Sequence, residues 1–201
     1  QPEFTQIDVE MSFVDQEDIM KLIEQMVRLV FKETKSIDLP TPLPRLSFEE
    51  AMGRYGTDKP DLRFDLQLQD LSQFAATCDF KVFRSAVESG GIVKALIIPG
   101  GNAFTRNRID NLIDTAKEFG AKGLAWVKVN EEGTLDSSIA KFFNAQALRE
   151  ALPSTKPGDL LIFVADVAPT VHQVLGRLRL LLGEERQLID RNRWEPLWVM
   201  D

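Results

Sequence analysis

The chain opens on an alternation of apolar and polar positions. Phe4-Thr5-Gln6-Ile7-Asp8-Val9-Glu10-Met11 has the period of a strand with one buried face, to which the odd positions Ile7, Val9 and Met11 are suited, while strict alternation sets Phe4 on the face of Gln6 and Asp8. Gln6, Asp8 and Glu10 then share the other face. Polar side chains so arranged are either solvated or line a polar pocket. The period then changes. Ile19, Met20, Ile23, Met26, Val27, Val30 and Phe31 recur at three-and-four spacing, which predicts an amphipathic helix. Asp15 is placed to cap it, and Glu17 and Asp18 suit its positive end. The prolines of Leu39–Pro44 end any helix.

Ser47-Phe-Glu-Glu50 is a capping-box pattern that opens a short helix through Met52. Gly53-Arg-Tyr-Gly-Thr-Asp-Lys-Pro-Asp-Leu-Arg63 follows, dense in turn formers and charge. Such residues make a domain junction for backbone reasons, and they equally suit a polar loop at a binding site.

The rhythm changes again after Asp65. Asp79–Val87 and Ile92–Ile98 read as strands, with Glu88-Ser89-Gly90-Gly91 as a hairpin signal. Thr105 caps a helix striped by Ile109, Leu112, Ile113, Ala116 and Phe119, with Gly120 as its stop. Leu124–Asn130 is a strand. Short helical pieces follow near Ile139–Phe143 and Ala145–Leu152. Leu160–Ala165 is an apolar strand, and Thr170–Leu182 is a helix ended by Gly183. Residues 66–183 thus read as a compact α+β unit. Trp194–Asp201 is a last apolar strand. A chain that starts on Gln within one strand and stops within another reads as an excised or processed piece.

Charge narrows the function classes. The 201 residues carry 24 basic and 31 acidic side chains, a net charge of −7. That balance disfavours a protein whose main role is coating nucleic acid or an anionic membrane. Arg177, Arg179, Arg186, Arg191 and Arg193 are the local candidates for phosphate contacts, and Glu184, Glu185 and Asp190 oppose them. One cysteine, Cys78, and one histidine, His172, cannot build a disulfide or a Cys/His zinc site within the chain. They read as a small core residue and a structural imidazole. No apolar run approaches a membrane span. Pro99-Gly-Gly-Asn102 lacks the spacing of a P-loop or dinucleotide turn, and no GxSxG or HExxH occurs.

A resemblance adds to this inventory. Gln1–Glu10 resembles the strand ending motif 2 of bacterial-type aspartyl-tRNA synthetases, a class II family, and Arg54–Phe64 resembles a second signature of that family. Phe80–Phe83, Val93–Ala95 with Pro99–Gly101, Ala121–Trp126, Ile139–Phe143 and Leu175–Arg179 are similar to its inserted GAD domain. Trp194–Asp201 looks like the re-entry into the catalytic core. The strings occur in the family's order and span nearly the whole chain.

The resemblance implies residues 1–65 as part of a class II catalytic domain, 66–185 as a two-layer α/β insertion, and 186–201 as the return to the catalytic domain. It implies a cytoplasmic ligase that activates aspartate with ATP and Mg²⁺ and charges tRNA-Asp, as a homodimer. Phe4 would stack on adenine, Gln6 would contact the aspartate or its adenylate, and Asp8 would pair with the substrate ammonium. A flat ring suits a purine and a carboxylate suits an ammonium. The family's phosphate-gripping arginines would lie outside these residues. The chain alone is therefore expected to be inactive, to hold no cofactor or metal, and to bind tRNA weakly. The inserted domain type also occurs in an archaeal tRNA-dependent amidotransferase subunit, which gives a non-catalytic alternative. The insertion's role stays open between acceptor contact, partner docking and stabilisation.

Overall fold

The structure, a computed structural model, describes residues 3–201. Gln1 and Pro2, the first letters of the motif 2-like string, lie outside the described residues. The chain forms two compact units. One comprises residues through Arg45 with Pro196–Trp198, and the other comprises Leu46–Glu195 with Val199–Asp201. The strands β1 (Arg45–Ser47) and β7 (Trp198–Met200) form a two-stranded sheet.

The first unit is built on helix α1 (Gln16–Lys35). Its start follows the sequence reading and extends it. Asp15 accepts from the Asp18 N–H and the Asp18 carboxylate accepts from the Asp15 N–H, so two orphan donors are satisfied reciprocally. Ser36 ends the helix in the left-handed region. Arg28 then grips Asp38 through two bonds, at 2.6 and 3.0 Å. Arg45 grips Glu17 at 2.6 and 2.7 Å. Met20, Leu39 and Leu43 are buried here, together with Glu24. The Glu24 carboxylate accepts from the Leu43 N–H at 3.1 Å and from the Trp198 indole at 2.9 Å.

One expectation fails in this unit. Residues 4–11 form no strand, and Phe4 and Ile7 are 72% and 74% exposed. A strand needs a neighbour to exchange backbone hydrogen bonds, and none pairs with this segment among the described residues. Alternation alone therefore does not fold it.

The second unit begins with α2 (Phe48–Tyr55), whose Ser47–Glu50 capping box forms as read and whose end lies three residues past Met52. Its centre is a five-stranded antiparallel sheet in the order β2-β3-β6-β4-β5. The strands are β2 (Gln69–Asp70), β3 (Ile92–Ile98), β4 (Ala125–Val129), β5 (Leu135–Asp136) and β6 (Leu160–Asp166). β3 and β6 pair along their whole length, from Ile92 opposite Asp166 to Ile98 opposite Leu160.

The α+β class holds, and the layering is richer than two. Helices α5 (Arg106–Glu118) and α7 (Ala168–Glu185) cover one face, packing on Leu96, Ile98, Leu160, Ile162 and Val164. Helices α3 (Ser72–Thr77), α4 (Lys81–Glu88) and α6 (Ala145–Ala151) cover the other, packing on Val93, Ala95, Val127, Leu161 and Phe163. Both faces of β3 and β6 are thus buried, which is why those strands read as largely apolar runs, broken in β3 by Lys94, rather than as alternations. The second face includes an aromatic cluster in which Phe83 stacks on Phe143 and Phe80 on Phe142, and Phe163 meets both Phe83 and Phe143 edge-on. Cys78 is buried with them, and burial pushes its thiol pKa up, so it behaves as a small core residue.

Two readings are corrected here. Residues 81–88 are helix α4, not the first strand of a hairpin. Val82, Phe83, Ala86 and Val87 fit a helical face as well as a strand, and the Gly90-Gly91 pair turns a helix into β3. Helix α7 also runs through Gly183 to Glu185. The Phe64 ring lies so close that a Cβ at Gly183 would sit 2.7 Å from its Cε2. Packing, not helix termination, selects glycine there.

Candidate functional site

The two groups of sequence-predicted site residues have different fates. Phe4, Gln6 and Asp8 lie exposed in a segment without regular secondary structure. Arg54–Phe64, the charged loop, is by contrast held at many points within the second unit.

That hold begins at the end of α2. Gly56 is the left-handed C-cap, with φ of 71°, and its N–H bonds the Met52 carbonyl. A Cβ at Gly56 would stand 2.3 Å from the His172 carbonyl oxygen and 2.9 Å from the Gly176 Cα, so the two backbones touch. The other carbonyls ending α2 are also used. Lys94, only 7% exposed on β3, donates to Gly53 O at 2.9 Å and stands 3.6 Å from Asp70. A cation there suits the negative end of the helix. The Leu68 N–H takes the Arg54 carbonyl at 2.8 Å.

Beyond Gly56 the loop is fixed by Arg179, which is 1% exposed. Its Nε donates to Leu66 O at 3.0 Å. Its Nη2 reaches Asp61 O and Phe64 O at 2.8 Å and Asp65 O at 3.1 Å. Its guanidinium lies 4.0 Å from the Phe64 ring centre and 4.9 Å from that of Tyr55. Burial pulls its pKa below the usual arginine value, yet an arginine keeps its proton in a protein. A buried charge costs several kcal/mol unless it is fully bonded, and here four carbonyls and two ring faces compensate it. The loop itself carries strain, because Leu66, a non-glycine residue, sits at φ of 71°. Conformations of that kind cost about 1–3 kcal/mol and persist only where the surroundings over-determine them.

The loop's own side chains are ordered too. Arg63 clasps Asp61 through Nε at 2.9 Å and Nη2 at 2.7 Å, and its N–H adds a third bond at 3.0 Å. The Arg63 guanidinium holds the Asp61 carboxyl below the usual carboxylate range. Asp58 and Lys59 stand exposed at the tip.

Nearby, His172 on α7 has a buried Nε2 without a hydrogen-bond partner. Burial lowers its pKa and Lys94 acts in the same direction, while Asp70 opposes. It is a neutral structural imidazole.

Of the C-terminal arginines read as candidates for phosphate contacts, Arg179 is withdrawn by its burial, whereas Arg177, Arg191 and Arg193 stay exposed. Arg179 is buried beneath the loop. Arg186 donates to Pro99 O, Arg191 pairs with Glu184 and Arg193 with Glu195. Arg177 is exposed, 5.1 Å from the Phe119 ring centre. What the sequence reading missed is the role of α7. Gly176 and Gly183 bracket Arg179 on one helical face, and small residues at that spacing signal close backbone approach. Glu24 was missed as well, although it lies one turn after Met20 and one before Val27 on an apolar face. Among the described residues, no group of three or more His, Cys, Asp or Glu could hold a metal ion. No helix among them is long and apolar enough to cross a membrane.

Comparison with known proteins covers the same span. Residues 1–201 match the family of tRNA synthetases class II (D, K and N). An Aspartate–tRNA(Asp/Asn) ligase of Persephonella marina is 49% identical over 203 residues, covering all of this chain and 34% of the relative. An Aspartate–tRNA ligase of Macrococcus caseolyticus is 52% identical over 204 residues, with the same two coverages. An Aspartate–tRNA(Asp/Asn) ligase of Bacillus cereus is 52% identical over 205 residues, again covering all of this chain and 34% of its own length. The chain therefore spans about a third of the relatives it matches. With a match along its entire length and half its residues shared with those ligases, the chain belongs to the class II (D, K and N) tRNA synthetase family.

Proposed function

We propose that this chain supplies one third of an aspartate–tRNA ligase, which joins aspartate to tRNA-Asp in two steps. In the first, the aspartate carboxylate attacks the α-phosphorus of ATP and pyrophosphate leaves. In the second, a ribose hydroxyl of the tRNA terminus attacks the acyl carbonyl and AMP leaves. The observation that carries this reading is the unbroken similarity of about 50% to aspartate ligases over the whole chain. In this reading Phe4 stacks on adenine, Gln6 contacts the aspartate or adenylate, and Asp8 pairs with the substrate ammonium. Residues 1–65 serve the catalytic domain, 66–185 form the insertion, and 186–201 return to the catalytic domain. The working ligase is a cytoplasmic homodimer.

The charge that develops on the phosphates requires preorganised cations. Mg²⁺ supplies part of that stabilisation when bound with ATP. The described residues offer no carboxylate cluster for it, so no step is assigned to the ion through this chain. By itself the chain is inactive and binds tRNA at the weak end of the non-specific range, a Kd of roughly 10⁻⁴ M at physiological salt, given its net charge of −7.

An uncovered apolar face supports the reading. Ile19, Leu22, Leu29 and Val30 lie along one side of α1, and Leu29 and Val30 are 58% and 48% exposed. Phe4, Ile7 and Phe13 are exposed as well. Apolar surface of this extent marks a contact with more polypeptide, which the remainder of a ligase provides.

The test is a chimera in which this chain replaces the matching third of the Macrococcus caseolyticus ligase. Aspartate-dependent ATP–pyrophosphate exchange is expected in the chimera, absent from the isolated chain, and strongly reduced by Asp8→Ala. Exchange that is insensitive to Asp8→Ala refutes the assignment of Asp8.

A further inference from the structure

We propose that the outer edge of β4 is a docking site for an extended peptide. A segment of a partner protein adds there as an antiparallel strand along Ala125–Val127, sets two apolar side chains into the groove beside that edge, and brings a carboxylate to Lys122. The site goes beyond the ligase reading and does not rest on it, because binding is read on the chain itself.

The five-stranded sheet stops short at this edge. β6 lies along β4 from Ala125 opposite Phe163 to Lys128 opposite Leu160, whereas β5 pairs only with Lys128 and Val129. After Asp136 the chain leaves the ladder, and the Ser137 hydroxyl accepts from the Ile139 N–H at 3.0 Å. Strand alternation then determines which groups stay open. The Val129 N–H bonds Asp159 O and the Gly158 N–H bonds Val129 O, so the odd positions of β4 face β6. The Asn130 N–H bonds Thr134 O, so the even positions face outward. Trp126 is the even position beyond the reach of β5. Among the described residues, neither its N–H nor its carbonyl has a backbone partner. Sheet edges are commonly guarded by charge or proline, and Ala-Trp-Val at 125–127 has neither.

The occupant follows from this geometry. An open N–H and carbonyl on one strand residue call for extended main chain, and a pocket beside them takes alternate side chains. A groove of about 390 Å³ lies along the edge, with Phe80, Phe83, Ile139 and Phe163 among its walls. Every pairing in the sheet is antiparallel. A residue added opposite Trp126 in that sense exchanges both bonds with it. Its two neighbours then oppose Ala125 and Val127, and directly opposed residues share a face. Ala125 and Val127 pack on the face of Phe83 and Phe163, so those two neighbours enter the groove. The central residue shares the other face with the Trp126 ring, whose partner there is Arg106 at 5.6 Å, and a polar side chain suits it. Among the described residues, the one charged side chain lining the groove is Lys122. β4 runs away from Lys122, so an antiparallel peptide brings its C-terminal end, and the carboxylate, toward that ammonium. Lys122 is exposed, and its pairing with Asp166 at 3.2 Å is a surface contact that it exchanges at little cost.

The probe is the peptide acetyl-Thr-Val-Thr-Val-Asp-amide, added at millimolar concentration to the 201-residue chain and followed by the protein's amide resonances. The largest shifts are expected at residues 123–127 and 138–139, with slower hydrogen exchange of the Trp126 amide in the complex. Methylating the nitrogen of the central Thr, which faces β4, should abolish binding. Methylating the nitrogen of the second Val, which faces away, should leave it intact. Ser138→Trp places a bulky ring at the exposed rim of the groove and should abolish binding. Lys122→Gln should weaken it about two- to fivefold. Both positions are exposed, so both variants should keep the melting midpoint of the wild type.

No shift at Trp126 overturns the docking site. Equal effects of the two methylated peptides overturn strand addition. Binding that survives Ser138→Trp overturns the role of the groove, and binding indifferent to Lys122→Gln overturns the seat of the carboxylate. A peptide-free chain that dimerises, and loses its dimer in Ser138→Trp, overturns the partner segment in favour of a second copy. A chimera without aspartylation overturns the ligase reading and leaves this site standing, so the two failures are distinguishable.

Discussion

Replacing Gly56 by alanine adds one methyl group at the point where α2 and α7 touch. The group would stand 2.3 Å from the His172 carbonyl oxygen and 2.9 Å from both N and Cα of Gly176, all backbone atoms that no side-chain rotation can move aside. The residue must also keep φ at 71°, which costs an L-residue about 1–2 kcal/mol. Forcing extra volume into a packed contact costs typically 1–3 kcal/mol. The sum is about 2–5 kcal/mol, equivalent to roughly 5–15 °C in melting midpoint for a protein of this size. Gly53 supplies the control. It lies in the same helix, three residues earlier, with nothing within 4 Å of an added Cβ. Alanine there should gain about 0.5–1 kcal/mol from helix propensity alone. Thermal and urea unfolding of the two variants, followed by circular dichroism, should therefore move in opposite directions. Equal, near-neutral effects would show that α2 and α7 are not in backbone contact, and the account of the clamped loop would fail.

Other consequences are as direct. His172 is the single histidine, so its imidazole proton resonance titrates without ambiguity. Its midpoint should fall below the usual 6.5 because burial disfavours the cation, and a midpoint at or above 6.5 contradicts the packing described. The unfolded chain binds that proton first, so stability should begin to drop as pH falls through about 6.5, and His172→Gln should flatten the slope. Asp61 has a lowered folded pKa. Its contribution is present above the ordinary carboxylate value of 3.8 and is lost as pH falls through the lower folded value. Asp61→Asn should remove that acid-limb dependence, and an unchanged acid limb would discount the Arg63 clasp. The isolated chain should enhance the fluorescence of an apolar dye through Ile19, Leu22, Leu29 and Val30, and Leu29→Glu should reduce it; no enhancement in the wild type would mean that this face is covered.

What the sequence made legible was local. Asp15 and Ser47 cap α1 and α2 because a side-chain oxygen three residues from a carboxylate-bearing partner is sufficient to close a capping box. β3, interrupted by Lys94, and β6 were legible as apolar runs, and Thr105 as the cap of α5. The failures were of two kinds. Residues 81–88 carry Val and Phe, whose strand propensity competes with a helical spacing that the fold follows. Residues 4–11 have the periodicity of a strand and no neighbour to pair with. The loop was legible as polar and turn-rich, but its clamp was not. Arg179 lies more than a hundred residues away, and nothing local distinguishes an arginine that will bind four carbonyls from one that will meet a phosphate. Only the Gly176 and Gly183 spacing around it carried a hint.

The most direct test of the functional account is transfer of labelled aspartate to tRNA-Asp by the Macrococcus caseolyticus ligase carrying this chain in place of its matching third. The account predicts aspartyl-tRNA formation dependent on ATP and on aspartate, with no charging by lysine. A chimera that folds but fails to charge tRNA-Asp, or one that charges it with another amino acid, would contradict it.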